Sequence, residues 1–400
     1  MTKILIGALG FSDYKIYTYS FPDGHQVKSK FAVYAVAELI KPDLAIILLT
    51  EEAKTVIWEE LEQELDKIQG MQSTAVDIPK GKESSEFWTI FDRIVQAIPS
   101  DAEVTLDITL GFRSIPILVL SVVSYLQAVR GVKISGIFYC AAEAVGREIE
   151  VKPIFDLSIF TRLQNWANAV EHFNRTGDSL LLSKLLQANE EFSDPSEQLP
   201  KSVKQVALAL KQLSLALDFV RPDDVMKASA KLQGDLRSAE RVGLPQPFVV
   251  LLSEIRNQYG NLALHEPRNS ANRYAYLERQ YQIIHWYIRH ERYLAAALLA
   301  REYVVSWYIT HRGIVDERLF QDDFRDNAKR QLDTIKNQID SGGKIDDLSL
   351  FDAVDVWKRL PNPRNDLAHA GMRANPSNAE TLANNIRDAI ERMTTLKANP

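Results

Sequence analysis

The chain has 400 residues, 46% of them hydrophobic and 25% charged, with a formal net charge of −6. That balance is ordinary for a globular protein with room for two or three domains, and it excludes an extended disordered chain. The acidic excess argues against a surface that coats nucleic acid broadly, while one cleft needs only local positive charge.

The first strand pattern, residues 3–8, is a continuous apolar run of the kind a parallel sheet covered on both faces requires. It follows Met1-Thr2-Lys3 directly, with no signal-peptide pattern before it. Gly7, Gly10, Phe11 and Ser12 form a small-residue turn at its carboxyl end. A helix pattern over 30–40 stops at Pro42, and strand and helix patterns then alternate: strand 43–50, helix 53–68, strand 74–78, helix 83–98, strand 104–109, helix 114–129 and strand 132–140. A last strand, 148–154, follows the Gly146 turn. This alternation predicts an open α/β sheet of Rossmann-like type over residues 1–156. The longest apolar run, 115–123, is too short to span a bilayer, so no membrane partner is expected. Cys140 is the only cysteine, which excludes an internal disulfide or a thiolate zinc site and fits a reducing cytoplasm; at the end of an apolar strand it reads as a small core residue.

From residue 157 to 400 the period is helical throughout. Helices are predicted at 157–173, 179–190, 203–219, 222–241, 248–262, 272–290, 292–310, 320–339, 348–360, 363–370 and 378–396, the last opened by Ser377 and Glu380 as a capping box. No fixed repeat appears, which excludes a solenoid.

In an open α/β sheet, ligands bind beyond the carboxyl ends of the strands, where strand order reverses. Two stretches fall at such ends: Gly7 to Ser12, and Asp107-Ile108-Thr109-Leu110-Gly111-Phe112-Arg113-Ser114. The second is the better anion site. Gly111 allows close backbone approach, a following helix capped by Ser114 offers unpaired N–H groups, and Arg113 adds a full charge. Gly111 and Ser114 are equally what an ordinary strand-to-helix junction uses. Neither the dinucleotide fingerprint nor the P-loop pattern is present.

In the helical half, Asn362-Pro363 is a helix-start signal, so Arg364 falls in a first turn. His369 comes five residues later, about 500° around an ideal helix, and the two side chains diverge by roughly 140°. A two-fold dimer would bring two Arg and two His to one cleft. Arg binds phosphate oxygens bidentately, His moves protons near neutrality, and Asn365 can orient either, a set suited to attack by an RNA 2′-hydroxyl on its own phosphate without metal or cofactor. Such spacing also arises by chance. Arg279 and His285 repeat it within one long helix, where they are expected to be structural. Arg268, Arg273, Arg279, Arg289 and Arg292, interleaved with Tyr274, Tyr276, Tyr281, Trp286 and Tyr287, either pack in the core or clamp single-stranded RNA.

Arg364-Asn365-Asp366-Leu367-Ala368-His369 resembles the R-N-x-x-x-H signature of HEPN ribonucleases, and Asp107 to Pro116 resembles the D-I-T-x-G-F-R-S-x-P segment of CARF sensor domains. Together they resemble the CRISPR-associated CARF–HEPN ribonucleases of type III systems. The resemblance implies a CARF domain over 1–156 and a helical domain over 157–400 ending in a HEPN-like module, the whole acting as a cytoplasmic homodimer or higher even oligomer. It implies a cyclic oligoadenylate activator held by Thr109, Gly111, Phe112, Arg113 and Ser114, its bases reaching Gly10, Phe11 and Ser12. It further implies single-stranded RNA as substrate, with Arg364, Asn365 and His369 catalytic and no metal. Arg301 with Glu302 also resembles a segment of related helical ribonuclease domains and reads as a buried ion pair. The alternatives are a ligand-responsive transcriptional regulator, which needs a basic recognition helix that no stretch here supplies, and a non-enzymatic helical scaffold.

Overall fold

A computed structural model describes residues 1–11, 14–109, 114–141, 149–188, 200–241, 246–360, 370–372 and 375–396. The chain divides into two compact units, Met1–Gln164 and Asn165–Pro400, the division falling inside the helix Ile159–Thr176.

In the first unit, eight strands form one sheet: β1 (Lys3–Leu9), β2 (Tyr17–Ser20), β3 (Gln26–Ser29), β4 (Leu44–Leu49), β5 (Gln72–Asp77), β6 (Glu103–Asp107), β7 (Lys133–Cys140) and β8 (Val151–Asp156). Their order is β3-β2-β8-β7-β6-β1-β4-β5. The five strands from β7 to β5 are parallel to their neighbours, while β8 runs antiparallel to β7. The helices α1 (Ala32–Ile40), α2 (Glu51–Leu65), α3 (Ser84–Ala97) and α4 (Ser114–Arg130) alternate with these strands. The expected Rossmann-like sheet is therefore present.

Strand periodicity sorts the apolar residues onto two faces. Leu5, Leu9, Ile47 and Leu49 pack with α1 and α2, and Ile4, Ile6, Ile46 and Leu48 pack with α3 and α4. Each such buried side chain contributes roughly 1.5–3 kcal/mol of hydrophobic stabilisation. Gly7 belongs to the close approach of α1, because a Cβ there would stand 2.7 Å from Val33 Cγ2.

The hairpin β2–β3 has no counterpart in the sequence-based prediction. Its turn is Pro22-Asp23-Gly24: Gly24 takes φ +87°, Asp23 accepts from the His25 N–H at 2.9 Å, and Phe21 N–H donates to His25 O at 2.9 Å. β2 then pairs in parallel with β8, adding the hairpin to the sheet.

The second unit is helical throughout its described residues: α5 (Ile159–Thr176), α6 (Leu180–Ala188), α7 (Lys201–Asp218), α8 (Pro222–Glu240), α9 (Gln246–Tyr259), α10 (Arg273–Arg289), α11 (Tyr293–His311), α12 (Asp322–Asp340), α13 (Leu348–Arg359) and α14 (Ala379–Glu391). The expected all-α second half is thus present, around a single apolar core. α11 is buried on nearly every side, as a helix apolar all round must be. The cap of α14 is Asn378, whose side chain accepts the Thr381 N–H at 2.8 Å, and not the expected Ser377. Asn is as good an N-cap as Ser, and it sits one residue nearer the first helical turn.

Gly177, between α5 and α6, has φ +69°, and a Cβ on it would lie 2.0 Å from the buried Trp286 ring. Its carbonyl accepts the Tyr259 hydroxyl at 2.9 Å. The α7–α8 corner is tight in a different way. Val220 takes φ 53°, Arg221 N–H donates to Ala216 O at 2.8 Å, and Val220 N–H donates to Leu217 O at 3.2 Å. That is the Schellman pattern, with a β-branched residue where Gly is usual. No helix among the described residues is long and apolar enough to cross a membrane.

Candidate functional site

β1 runs to β4 and β5 on one side, and the chain returns to β6 and β7 on the other. The sheet therefore changes direction between the carboxyl ends of β1 and β6, where a crevice opens in folds of this kind. β1 pairs with β6 up to Gly7 opposite Asp107. The loops that leave this edge begin at Gly10 and Phe11 on one strand and at Ile108 and Thr109 on the other. Both stretches singled out in the sequence thus start side by side. Ser114 opens α4 on the far side of the second loop. Ser12, Gly111, Phe112 and Arg113 lie outside the described residues.

Asp107 is the polar centre of the edge, and sequence reading did not select it as a site residue. It is 5% exposed, and its Oδ1 accepts from the Thr109 N–H at 3.0 Å and the Thr109 hydroxyl at 2.5 Å. The same hydroxyl oxygen accepts the Cys140 N–H at 2.9 Å, tying the end of β6 to β7. Burial pushes the Asp107 carboxyl up to about 6, and the two hydrogen bonds from Thr109 hold it below what burial alone would give. A buried, perturbed carboxyl at the carboxyl end of a strand, beside the switch point, is a recognised kind of functional-site candidate. Its sequence signal is an acidic residue placed directly at the end of an apolar strand.

On the β1 side, the Tyr14 hydroxyl donates to Gly10 O at 2.7 Å, and its ring packs on Phe31 at 5.2 Å. Burial, together with the Asp107 charge, pushes that hydroxyl up to about 12, so it stays a donor. Phe11 is 73% exposed, which leaves an aromatic face open beside the crevice. Phe11 and Ser114 flank an edge whose centre, from Thr109 through Cys140 to β7, is rigidly hydrogen-bonded. Such an edge can present backbone N–H groups to an anion and a ring to a flat apolar group. A second cleft of about 580 Å³ lies at the ends of β4 and β5, where Lys54 pairs with Asp77 at 2.8 Å.

Residues 4–143 match the family model described as the CARF domain of the CRISPR system endoribonuclease Csx1. The first unit carries a CARF domain. Residues 162–266 match the second domain of the CRISPR-associated protein MJ1674. That protein, from Methanocaldococcus jannaschii, is 26% identical over 56% of this chain and 44% of its own length, so the chain spans less than half of the curated relative it matches. Among solved structures, Enterococcus italicus Csm6 bound to cyclic hexa-2′-fluoro-hexa-dAMP aligns over 99% of this chain and 93% of its own, at 12% identity and a TM-score of 0.44. The switch-point edge described above lies within the matched CARF segment.

In the helical unit, Arg364, Asn365 and His369 lie outside the described residues. The helices before and after them are firmly seated: Val354, Val356 and Trp357 of α13 and Ile386, Ala389 and Ile390 of α14 are all buried in the core. α13 is capped by Asp347, which accepts the Leu350 N–H at 3.0 Å and holds His311 Nε2 at 2.7 Å. The cap and the imidazole keep the Asp347 carboxyl below the usual carboxylate range, the cap foremost.

Glu302 pairs with Arg325 at 2.6 Å in a half-exposed bridge, and the Arg301 guanidinium lies 3.9 Å over the Trp357 ring. The expected reading of a buried pair at Arg301 and Glu302 gives way to this arrangement, because successive helical residues point to different faces. Most of the aromatic series, with Arg273, resolves as core, while Tyr274, Arg268 and Arg289 are exposed. Tyr276, Tyr281, Trp286 and Tyr287 are buried, and Arg273, 1% exposed, donates to the carbonyls of Val315 at 3.1 Å and Asp316 at 2.8 Å. Burial excludes RNA stacking on Tyr276, Tyr281, Trp286 and Tyr287, and leaves only Tyr274 of the series open. Arg279 donates to Ala263 O at 3.2 Å, and His285 packs on the Tyr281 ring at 4.3 Å, both structural as expected. His290 ends α10, stacked on Trp286 at 4.1 Å, and burial pushes its imidazole down.

Proposed function

We propose that this protein is a cyclic oligoadenylate-activated RNA endonuclease of type III CRISPR antiviral defence. The observation that carries the reading is the adjacency of the Gly10 and Thr109 loops at the switch point of a CARF domain. A cyclic, phosphate-rich ligand of even symmetry suits that edge when two copies meet about a two-fold axis. Thr109 and Ser114, with Gly111, Phe112 and Arg113 between them, hold the phosphates, and Gly10, Phe11 and Ser12 meet the bases. The relative's name puts MJ1674 among CRISPR-associated proteins, and the matching family model is that of the CARF domain of an endoribonuclease.

Cleavage is assigned to Arg364, Asn365 and His369 at a composite site between two protomers. His369 takes the proton from the 2′-hydroxyl or gives one to the leaving 5′-oxygen, and Arg364 stabilises the charge on the phosphorane. Asn365 orients the phosphate or the imidazole. No metal or cofactor enters this scheme, and the products carry a 2′,3′-cyclic phosphate.

The test is a fluorogenic single-stranded RNA assay in EDTA with cyclic tri-, tetra- and hexa-adenylate, run on the native protein, His369→Ala and Arg364→Ala. One ring size is expected to switch on cleavage, and both variants are expected to lose it while still binding the ring. Wild-type cleavage by His369→Ala would refute the assignment. Ligand-dependent binding of duplex DNA with no RNA cleavage would transfer the reading to a regulator.

A further inference from the structure

The corner between α7 and α8 gathers features that the ribonuclease reading does not use. Phe219 at this corner is 71% exposed. It forms a shared wall, with Arg221, of two adjoining clefts of about 610 and 530 Å³. Both volumes fall in the range of roughly 300–1,000 Å³ typical of small-ligand sites.

The first cleft, between α7 and α8, is lined by Leu215, Ala216 and Ala228, by the cations Arg221, Lys227 and Lys231, and by one carboxylate, Asp224. Lys227 and Lys231 stand four residues apart on one face of α8 and are exposed, as is Arg221. Among the described residues, no carboxylate stands in ion-pair contact with any of the three. Two cations of the second cleft are by contrast already matched: Arg268 pairs with Asp223 at 2.7 Å and Arg325 with Glu302 at 2.6 Å. Its wall also holds Gln280, 3% exposed, whose Oε1 has no hydrogen-bond donor. The first cleft therefore sets three cations against one carboxylate in its wall, with Asp235 within electrostatic reach of Lys231, and the second offers a polar, hydrogen-bonding wall. An aromatic ring stands between them. In a chain of net charge −6, this excess of three cations over one carboxylate in the cleft wall is local.

We infer that this corner is a nucleotide-binding site, at which a base stacks on Phe219 and its phosphate sits over Arg221, Lys227 and Lys231. A stacked base with a neighbouring phosphate held by cations is the mode by which proteins hold single nucleotides and single strands alike. The ligand chemistry is a phosphorylated nucleoside, either free or as one unit of an RNA strand. The inference does not depend on cleavage by Arg364 and His369.

The experiment measures binding to the full chain without any cyclic activator. One probe is a fluorescent 12-mer of 2′-O-methyl RNA, which lacks the 2′-hydroxyl needed for self-cleavage, and the other is ATP followed by calorimetry. Phe219→Ala is expected to weaken the bound probe about five- to hundred-fold, as loss of one stacked base does. Arg221→Ala/Lys227→Ala/Lys231→Ala is expected to lower the slope of log affinity against log salt for the strand by about two. Loss confined to the 12-mer identifies the source as a strand, and loss confined to ATP identifies a free nucleotide. No binding of either probe by the native chain, or binding unchanged in both variants, overturns the proposal. Should a variant fail to fold, a 4-thiouridine strand crosslinked to the native protein must mark residues 212–231, and adducts only elsewhere overturn the proposal equally.

Discussion

Replacing Asp107 by Asn tests the electrostatic account of the switch-point edge. Burial raises this carboxyl from 3.8 to about 6, so the folded state binds the proton more tightly than the unfolded chain does. The stability contributed by the protonated form is complete below pH ~4 and is lost as the pH rises through about 6. At pH 7.5 the ionised carboxylate costs about 3 kcal/mol, taking 1.36 kcal/mol for each unit between 3.8 and about 6. Asn cannot ionise, yet its Oδ1 can still accept from the Thr109 N–H and hydroxyl, which now stand at 3.0 and 2.5 Å. Allowing about 1 kcal/mol for the weaker neutral hydrogen bonds, Asp107→Asn should stabilise the first unit by roughly 1–3 kcal/mol at pH 7.5. For a unit of this size that raises its Tm by about 2–10 °C. The assay is calorimetry of both proteins from pH 4 to 8, read as the difference between them, in which the titration of other carboxylates cancels. The difference should be near zero at pH 4 and largest above pH 6. A variant that is less stable than the native protein at pH 7.5, by as much as at pH 4, would refute the buried-charge argument.

The same carboxyl makes ligand binding pH-dependent, because an anion at this edge raises it further and binding then takes up a proton. Affinity for cyclic oligoadenylate should increase several-fold from pH 7.5 to 5.5 by fluorescence titration, and Asp107→Asn should flatten that profile. Gly177→Ala should destabilise the helical unit by roughly 2–5 kcal/mol, from the left-handed backbone and from overpacking against Trp286, and differential scanning calorimetry should show a Tm lower by about 5–15 °C. Asp347→Ala removes the cap of α13 and the partner of His311, and should cost about 1–2 kcal/mol at pH 7 in urea unfolding. Because this carboxyl is depressed in the folded state, its contribution is present above the usual Asp range and shrinks as the pH falls through the folded value, so the variant and the native protein should converge in acid.

Most of the architecture was legible because periodicity reports burial. The apolar runs of β1 and β4 and the 3.6-residue pattern of α7 or α12 can be satisfied in only one kind of element. The β2–β3 hairpin escaped because four-residue strands give too few repeats, although Pro22-Asp23-Gly24 was a turn signal with a mechanism. The aromatics of α10 show a different limit, because the sequence left core packing and RNA contact both open. Spacing places them on faces but does not say which face meets the core, and packing against α11 decided it. At the candidate site, both loops were found from strand ends and glycines. The weight of Asp107 was not, since its perturbation comes from being enclosed by strands distant in sequence.

Val220 carries a consequence beyond its own turn. A β-branched residue at φ 53° holds on the order of 1–3 kcal/mol of backbone strain that glycine would not. What the corner loses in ease it gains in backbone definition: the two turn hydrogen bonds set the direction in which Phe219 and Arg221 leave the chain. For the nucleotide site inferred here, a backbone already in its bound path would leave less ordering to be done on binding.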